Sequence, residues 1–373
     1  MARVRRTRIL IVDDSAVMRS LLRSVIATDP GLDVAGTAAD GASALHAISL
    51  NAPDLVLLDV EMPGMDGLAT LRELRQRDHK MPVIMCSSLT QRGATVTIEA
   101  LAIGASDYVP KLPGQPGREA AVSALAQELI PKIHALTRSS QPLAVNLPAP
   151  RPAPADSPAP AFLPLPLSSP RIVAIGVSTG GPAALDVVLP ALPGDFPLPI
   201  VIVQHMPEVF TGLFAERLNR RCSVHICEGP EGAPVNPGIA YIARGNWHMQ
   251  VVASARAGRP ATIHLNQDPP ENHCRPAVDA LFRSVAGVFG SGVLAVVLTG
   301  MGSDGLAGCR LIRSAGGIVL AQDEATSTVW GMPGAVVQAG LAHRVLPLHS
   351  IAAEILRVVA RAPKAHIPAP MVA

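Results

Sequence analysis

The sequence predicts two consecutive α/β domains, each built on a parallel sheet wound by helices, with an extended tether between them. Three observations carry this. A chain of 373 residues is long for one hydrophobic core and sufficient for two. On both sides of residue 150 short apolar runs alternate with amphipathic helical stretches, the mark of strand–helix–strand units. From Ser139 to Pro170, ten of 32 residues are proline and only Arg151 and Asp156 are charged. Each proline removes a backbone donor, so this stretch reads as a spacer rather than as helix or sheet. The expected boundaries are 1–138, a tether over 139–170, a second domain over 171–362 and a tail over 363–373.

In the first domain strands are expected at Ile9–Val12, Val34–Gly36, Leu55–Leu58, Val83–Met85 and Tyr108–Val109. Helices are expected over Ser15–Ala27, Ala42–Ile48, Leu68–Arg75, Thr95–Ala102 and Ala120–Leu136. Five such pairs make a small doubly wound sheet. The second domain repeats the pattern with strands at Ile172–Ile175, Ile200–Val203, Val293–Leu298 and Ile318–Ala321. Gly238–Ile242, His248–Val252 and Thr262–Leu265 are short and close together, with Arg244-Gly245-Asn246 as a turn, and predict antiparallel strands at one edge.

Composition narrows the function classes. With 49% hydrophobic and 16% charged residues the chain is globular, and a net charge of +2 gives no electrostatic footprint for nucleic acid. Five scattered cysteines without a C-x-x-C pair fit a reducing compartment. The basic start, with Arg3, Arg5, Arg6 and Arg8, precedes an apolar run of only Ile9–Val12, too short for a secretory segment. Later apolar runs fall short of the roughly 18 residues of a membrane span. The expectation is a cytoplasmic protein without membrane insertion.

In a parallel α/β sheet, chemistry gathers beyond the carboxyl ends of the strands. Asp13 and Asp14 end the first strand, Asp59 the third and Ser87 the fourth, and Lys111 follows the fifth. Three carboxylates at one edge repel one another and call for a hard cation such as Mg²⁺. A lysine and a hydroxyl beside them suit phosphoryl oxygens. Singly, each acid is a helix cap or a solvated charge; their joint placement argues for a site.

The segments ILIVDDS, LLDVEMPGMDG, MCSS and DYVPK, in this order, resemble the receiver domain of two-component response regulators, which has a flavodoxin-like fold. The resemblance implies Asp59 as phospho-acceptor and Asp13, Asp14, Asp59 and the backbone carbonyl of Glu61 as Mg²⁺ ligands. It implies Ser87 and Lys111 as the phosphoryl-sensing pair. One departure is Leu112, which intervenes between Lys111 and Pro113 where receivers usually place proline directly after the lysine.

The second domain opens on GVSTGG, residues 176–181, between an apolar run and Pro182. It is neither G-x-G-x-x-G nor a P-loop, but Gly176-Val177-Ser178-Thr179-Gly180 matches G-x-S-x-G. A tight turn with Ser178 as a helix cap would account for the pentapeptide equally well. A serine nucleophile needs a base, and the base needs an acid to fix its tautomer. His205 directly follows the strand PIVIVQ, and Asp304 lies in the TGMGSDG loop after Val293–Leu298. All three therefore sit past carboxyl ends of predicted parallel strands. Their chain order, Ser, His, Asp, differs from that of the α/β-hydrolases.

AIGVSTGGPAAL, IVIVQHMP, CRPAVDALFRS and VVLTGMGSDG together resemble the catalytic domain of the chemotaxis protein-glutamate methylesterase (CheB) family, in which it follows a receiver. The resemblance implies demethylation of glutamate γ-methyl esters and deamidation of certain glutamines on methyl-accepting chemotaxis receptors, with a chemotaxis histidine kinase as phosphodonor. Ser178 is the implied nucleophile, His205 the base and then acid, and Asp304 the orienting acid. Thr179 and the backbone around Met301 are implied near the oxyanion, and ester hydrolysis needs no cofactor. Arg275 and Asp279 either touch substrate or pair to anchor a helix start; Trp247 and Trp330 read as core or rim. The alternative is a non-catalytic regulator whose second domain binds a partner.

Overall fold

Five strands, β1 (Thr7–Val12), β2 (Leu32–Ala38), β3 (Leu55–Asp59), β4 (Val83–Ser88) and β5 (Asp107–Lys111), pair in parallel in the order β2-β1-β3-β4-β5. The computed structural model describes residues 5–111, 117–138, 166, 169–256 and 258–360. The tether apart from 166, 169 and 170, the tail over 363–373, Arg3 and the Leu112-Pro113 step lie outside the described residues. Helices α1 (Ala16–Ile26), α2 (Gly41–Asn51), α3 (Gly67–Gln76), α4 (Gln91–Ile103) and α5 (Arg118–Arg138) wind this sheet. Four of them start where the sequence supplies a capping side chain: Ser15, Asp40, Asp66 and Thr90 each accept a first-turn backbone N–H. Strand order reverses between β1 and β3, which carry the acidic residues.

The second sheet has seven parallel strands in the order β14-β13-β12-β6-β7-β9-β8. These are β6 (Ile172–Val177), β7 (Ile200–Gln204), β8 (His225–Glu228), β9 (Ile239–Ile242), β12 (Val293–Val297), β13 (Ile318–Gln322) and β14 (Arg344–Leu346). A separate antiparallel hairpin joins β10 (His248–Val252) to β11 (Thr262–Asn266). The helices of this domain are α6 (Gly181–Val188), α7 (Glu208–Asn219), α8 (Val278–Phe289), α9 (Leu306–Ser314), α10 (Met332–Gln338) and α11 (Leu348–Ala360).

The expected antiparallel element is present, but with two strands instead of three and as its own sheet. Ile239–Ile242 is a continuous apolar run, mostly buried, and joins the parallel sheet between β7 and β8. Thr262–Asn266 alternates apolar with polar residues, as a strand with one wet face does. β8 and β14 escape the sequence reading because they are three- and four-residue edge strands of mixed polarity.

The two domains share apolar contacts. One continuous core cluster runs from the α3–α4 side of the first sheet into the α6–α7 side of the second. The Tyr108 ring of β5 stacks on Phe210 of α7 with centroids 4.7 Å apart. Among the described residues no helix is long and apolar enough to cross a membrane.

Candidate active site

β12, β6 and β7 are neighbours at the centre of the second sheet, and their carboxyl ends release Asp304, Ser178 and His205 side by side. β6 is also where strand order reverses, the place such sheets keep for a ligand. The His205 ring lies between the other two: Nδ1 is 3.0 Å from Ser178 Oγ and Nε2 is 2.8 Å from Asp304 Oδ2. The structure thus brings together the three residues that the sequence placed at separate strand ends.

Asp304 is 2% exposed and accepts five hydrogen bonds. Its donors are His205 Nε2, the Val278, Asp279 and Gly305 backbone N–H groups, and Asn272 Nδ2. Burial disfavours its charge, but the His205 contact and the amides at the start of α8 outweigh burial and hold the carboxyl below its ordinary range. An ionised Asp304 keeps a proton on Nε2 and leaves the Nδ1 lone pair facing the serine. Burial also opposes charging of His205, yet Asp304 and the Cys274 sulfur overcome it and raise the ring's pKa to about 9.

Two glycines let the backbone close around Ser178. Gly180 has φ +77°, and a Cβ there would meet Thr328 Oγ1 at 2.4 Å. A Cβ on Gly300 would lie 2.8 Å from Ser178 Cβ, so the TGMG loop can pass the serine only as glycine. Among the described residues the backbone N–H groups of Thr179 and Met301 donate no hydrogen bond, leaving donors free in the loops around Ser178. Gln204 fixes the serine–histidine spacing, because its Nε2 donates to the Ser178 carbonyl at 3.0 Å and the His205 carbonyl at 3.2 Å.

The first domain closes over this site. The Thr179 hydroxyl donates to Asp107 Oδ2 of β5 at 2.7 Å, a buried bond between the domains. Asp107 is 3.5 Å from Lys132 of α5, whose ammonium also donates to the Tyr108 carbonyl at 2.6 Å and lies 3.5 Å from Glu128. Met301 and Val329 pack with the apolar cluster that includes α5. What remains is a cleft of about 900 Å³ lined by both domains, with Ser178, His205 and Cys274 on one wall and Asp107, Glu128 and Lys132 on the other.

At the carboxyl edge of the first sheet, oxygens of Asp13, Asp14 and Asp59 lie within 4.8 Å of one another. Lys111 Nζ stands 2.8 Å from Asp13 Oδ2 and 2.7 Å from Asp59 Oδ1. Burial pushes the Asp59 carboxyl up, against the opposing pull of Lys111. Burial disfavours the Lys111 charge, and the two carboxylates more than restore it. The Glu61 backbone N–H is 3.4 Å from Asp59 Oδ1. Ser87 is buried, and its hydroxyl donates to the Ser88 carbonyl, not to Asp59.

Four contributors went unseen in the sequence reading: Asn272, Gln204, Cys274 and Asp107. Gln204 adjoins His205 in IVIVQHMP and Cys274 opens CRPAVDALF, but adjacency gave no chemical reason to single them out. Arg275 and Asp279 do not pair with each other. Arg275 binds Asn246 Oδ1 and the Gln267 and Asp268 carbonyls, whereas Asp279 accepts from Gly308 N and Asn272. Trp247 and Trp330 are half-buried, at the rim.

Comparison with known proteins agrees with both halves. The family described as response regulator receiver domain matches residues 9–118, and the family described as CheB methylesterase matches residues 173–355. A protein of Nocardioides sp. (strain ATCC BAA-499 / JS614) is 47% identical over 366 residues, covering 97% of this chain and 98% of that relative. One of Trichodesmium erythraeum (strain IMS101) is 47% identical over 350 residues, covering 94% and 98%. Both are named protein-glutamate methylesterase/protein-glutamine glutaminase. The crystal structure of the Thermotoga maritima CheB methylesterase catalytic domain is 41% identical, with a TM-score of 0.49, over 52% of this chain and all of that one. A receiver fused to a serine–histidine–aspartate sheet defines a response regulator with an enzymatic output. The chain belongs to the CheB methylesterase family.

Proposed function

We propose that this chain is a phosphorylation-regulated protein-glutamate methylesterase and protein-glutamine glutaminase acting on methyl-accepting chemotaxis receptors in the cytoplasm. In this reading residues 1–138 are the regulatory receiver, 139–170 the tether and 171–362 the catalytic domain. The observation that carries it is the His205 ring held between Ser178 Oγ at 3.0 Å and Asp304 Oδ2 at 2.8 Å.

Ser178 Oγ attacks the γ-carbonyl of a glutamate methyl ester as its proton passes to His205 Nδ1. Asp304 stabilises the imidazolium that forms. The carbonyl oxygen gains negative charge, and the free N–H groups of Thr179 and Met301 are donors that can take it up. His205 then returns the proton to the departing methanol, leaving a glutamyl ester on Ser178. Water, giving a proton to His205, attacks that ester and restores the serine. A glutamine side chain follows the same path with ammonia as the leaving group.

The receiver assignment implies Mg²⁺, and its residues suit a hard cation. The donor set is all carboxylate, and Asp13 Oδ2 is buried with the Lys111 ammonium beside it but no well-directed hydrogen bond. Asp13, Asp14 and Asp59 would hold the ion, with the Glu61 carbonyl carried over from the resemblance. Bound there, Mg²⁺ would supply charge neutralisation for a phosphoryl group. Asp59 is the acceptor in this reading and the chemotaxis histidine kinase the donor, with Lys111 and Ser87 as phosphoryl-binding groups. Ser87 must turn from Ser88 to reach a phosphorylated Asp59.

The docked receiver restrains the enzyme, since Asp107 occupies the Thr179 hydroxyl and α5 covers the cleft. The test is methanol release from methylated receptor by three proteins: the full chain, the full chain phosphorylated by a small phosphodonor, and residues 171–373. The second and third should exceed the first. No methanol from any of them would overturn the esterase assignment, and a truncated form no faster than the resting chain would overturn the restraint.

A further inference from the structure

Nδ1 of His205 has two neighbours rather than one. Ser178 Oγ lies at 3.0 Å and Cys274 Sγ at 3.5 Å. With the ring's proton committed to Asp304 through Nε2, the neutral imidazole has a single lone pair at Nδ1. A hydroxyl and a thiol both donate, and only one can be aligned with that lone pair at a time. We propose that Cys274 is a positioning residue for the ester reaction, whose thiol competes with Ser178 for His205 Nδ1 and sets the fraction of enzyme in which the serine is activated. The proposal rests on the reading of Ser178 and His205 as nucleophile and base.

The sulfur is placed by the same turn that places the acid. The Glu271 and Cys274 backbones exchange both hydrogen bonds, at 3.1 and 2.8 Å, around Asn272 and His273, which adopt φ of 51° and 63°. Asn272 then bridges Asp304 at 2.9 Å and Asp279 at 3.0 Å. A turn held this firmly at the acid keeps the sulfur at Nδ1 too. Cys274 is half-buried and lines the cleft, whereas Cys86 and Cys309 are buried in the cores of their domains.

While the thiol holds Nδ1, the serine has no base on the ring. The other charged or titratable groups on the cleft walls are His273, Arg275 and Glu208 from the catalytic domain and Asp107, Tyr108, Glu128 and Lys132 from the receiver. The raised proton affinity of His205 agrees with this competition and fixes the sign of its effect. Esterase activity needs the neutral ring, so it should climb as pH rises towards about 9. Removing the sulfur takes away one of the contacts that raise that affinity, and moves the rising limb to lower pH.

Two measurements on the full chain decide the matter. In the first, iodoacetamide labelling is mapped by peptide mass spectrometry at neutral pH, where the thiolate displaces iodide and forms a carbon–sulfur bond. Cys274 should be labelled about tenfold faster than in His205→Ala, because that variant lacks the Nδ1 contact that activates the thiol. In the second, pH profiles of kcat/KM for methylated receptor are compared among wild type, Cys274→Ala and Cys274→Ser. Both variants should shift the rising limb by about one pH unit to the acid side, a change that a packing defect would not produce. A Cys274 that stays unlabelled, or labels equally with and without His205, overturns the proposal, as do limbs that coincide in all three proteins. If wild type itself releases no methanol, the esterase reading fails while the labelling still tests the cysteine–histidine pair.

Discussion

Asp59 and Asp304 occupy the same kind of place in two unrelated sites, a carboxyl end next to the reversal of strand order in a parallel sheet, and their charges are treated in opposite ways. Asp304 is surrounded by five donors and is held ionised. Asp59 is equally hidden from water but has Lys111 and one long backbone contact, with Asp13 close by, and its charge is disfavoured. In the proposed reading the difference separates an acid that must stay fixed while another group reacts from an acid that must itself react. A fully satisfied carboxylate is a poor nucleophile. An under-solvated one gains from a cation or from covalent capture.

The largest effects are expected at the serine and histidine. Ser178→Ala and His205→Ala should each lower methanol release by about 10⁴-fold or more, because the pair acts as a unit. Residual activity within tenfold of wild type would move the nucleophile elsewhere. At the other sheet, Asp59→Asn should abolish phosphoryl incorporation from a small phosphodonor; persistent labelling would reject Asp59 as acceptor.

Asp304→Asn should cost about 10³- to 10⁴-fold through loss of the correct imidazole tautomer. Asp279→Asn should cost far less, since Asp279 reaches the histidine only through Asn272 and Asp304. Comparable losses in the two variants would mean the acids share the role.

Thermal stability offers a signed test of the contrast. A carboxylate with a raised folded-state pKa is destabilised in its ionised form, so its contribution falls as pH rises through that value, whereas a lowered one stabilises until acid protonates it. At neutral pH Asp59→Asn should therefore raise the unfolding temperature of its domain, and Asp304→Asn should lower that of the catalytic domain. About 2–4 °C is expected for each kcal/mol. Calorimetry showing the same sign for both would remove the distinction. The smallest effect concerns the domain contact. Asp107→Ala deletes one charge-assisted hydrogen bond, worth about 1.5 kcal/mol at the lower end for such bonds, and should raise resting esterase activity by roughly tenfold. An unchanged rate would show that the apolar contacts alone hold the receiver down.

Long, periodic elements were legible in the chain. All five strands of the first sheet and the four central strands of the second follow from apolar runs bounded by caps and glycines. The misplacement of Ile239–Ile242 has a plain cause. Two short runs near a turn signal look like a hairpin, and whether a strand pairs with its sequence neighbour or with a distant one depends on which of its faces are buried.

The sequence by itself determined which residue types stand at the strand ends, because a parallel sheet delivers every such end to one edge and the motifs DDS, LLD, GVSTGG, QH and TGMGSDG mark them. That was enough to bring forward Ser178, His205, Asp304, Asp59 and Lys111 as candidates. Only the tertiary structure decided how those groups are wired: which ring nitrogen of His205 faces the serine, that Asn272 and the first amides of α8 hold Asp304, that a cysteine shares Nδ1, and that Asp107 reaches across to Thr179. Each of these is a contact of 2.7–3.5 Å between residues 25 to 99 positions apart. Strand order brings such residues together, but hydrogen bonding depends on side-chain direction and on how two domains pack, and neither leaves a periodic trace along the chain.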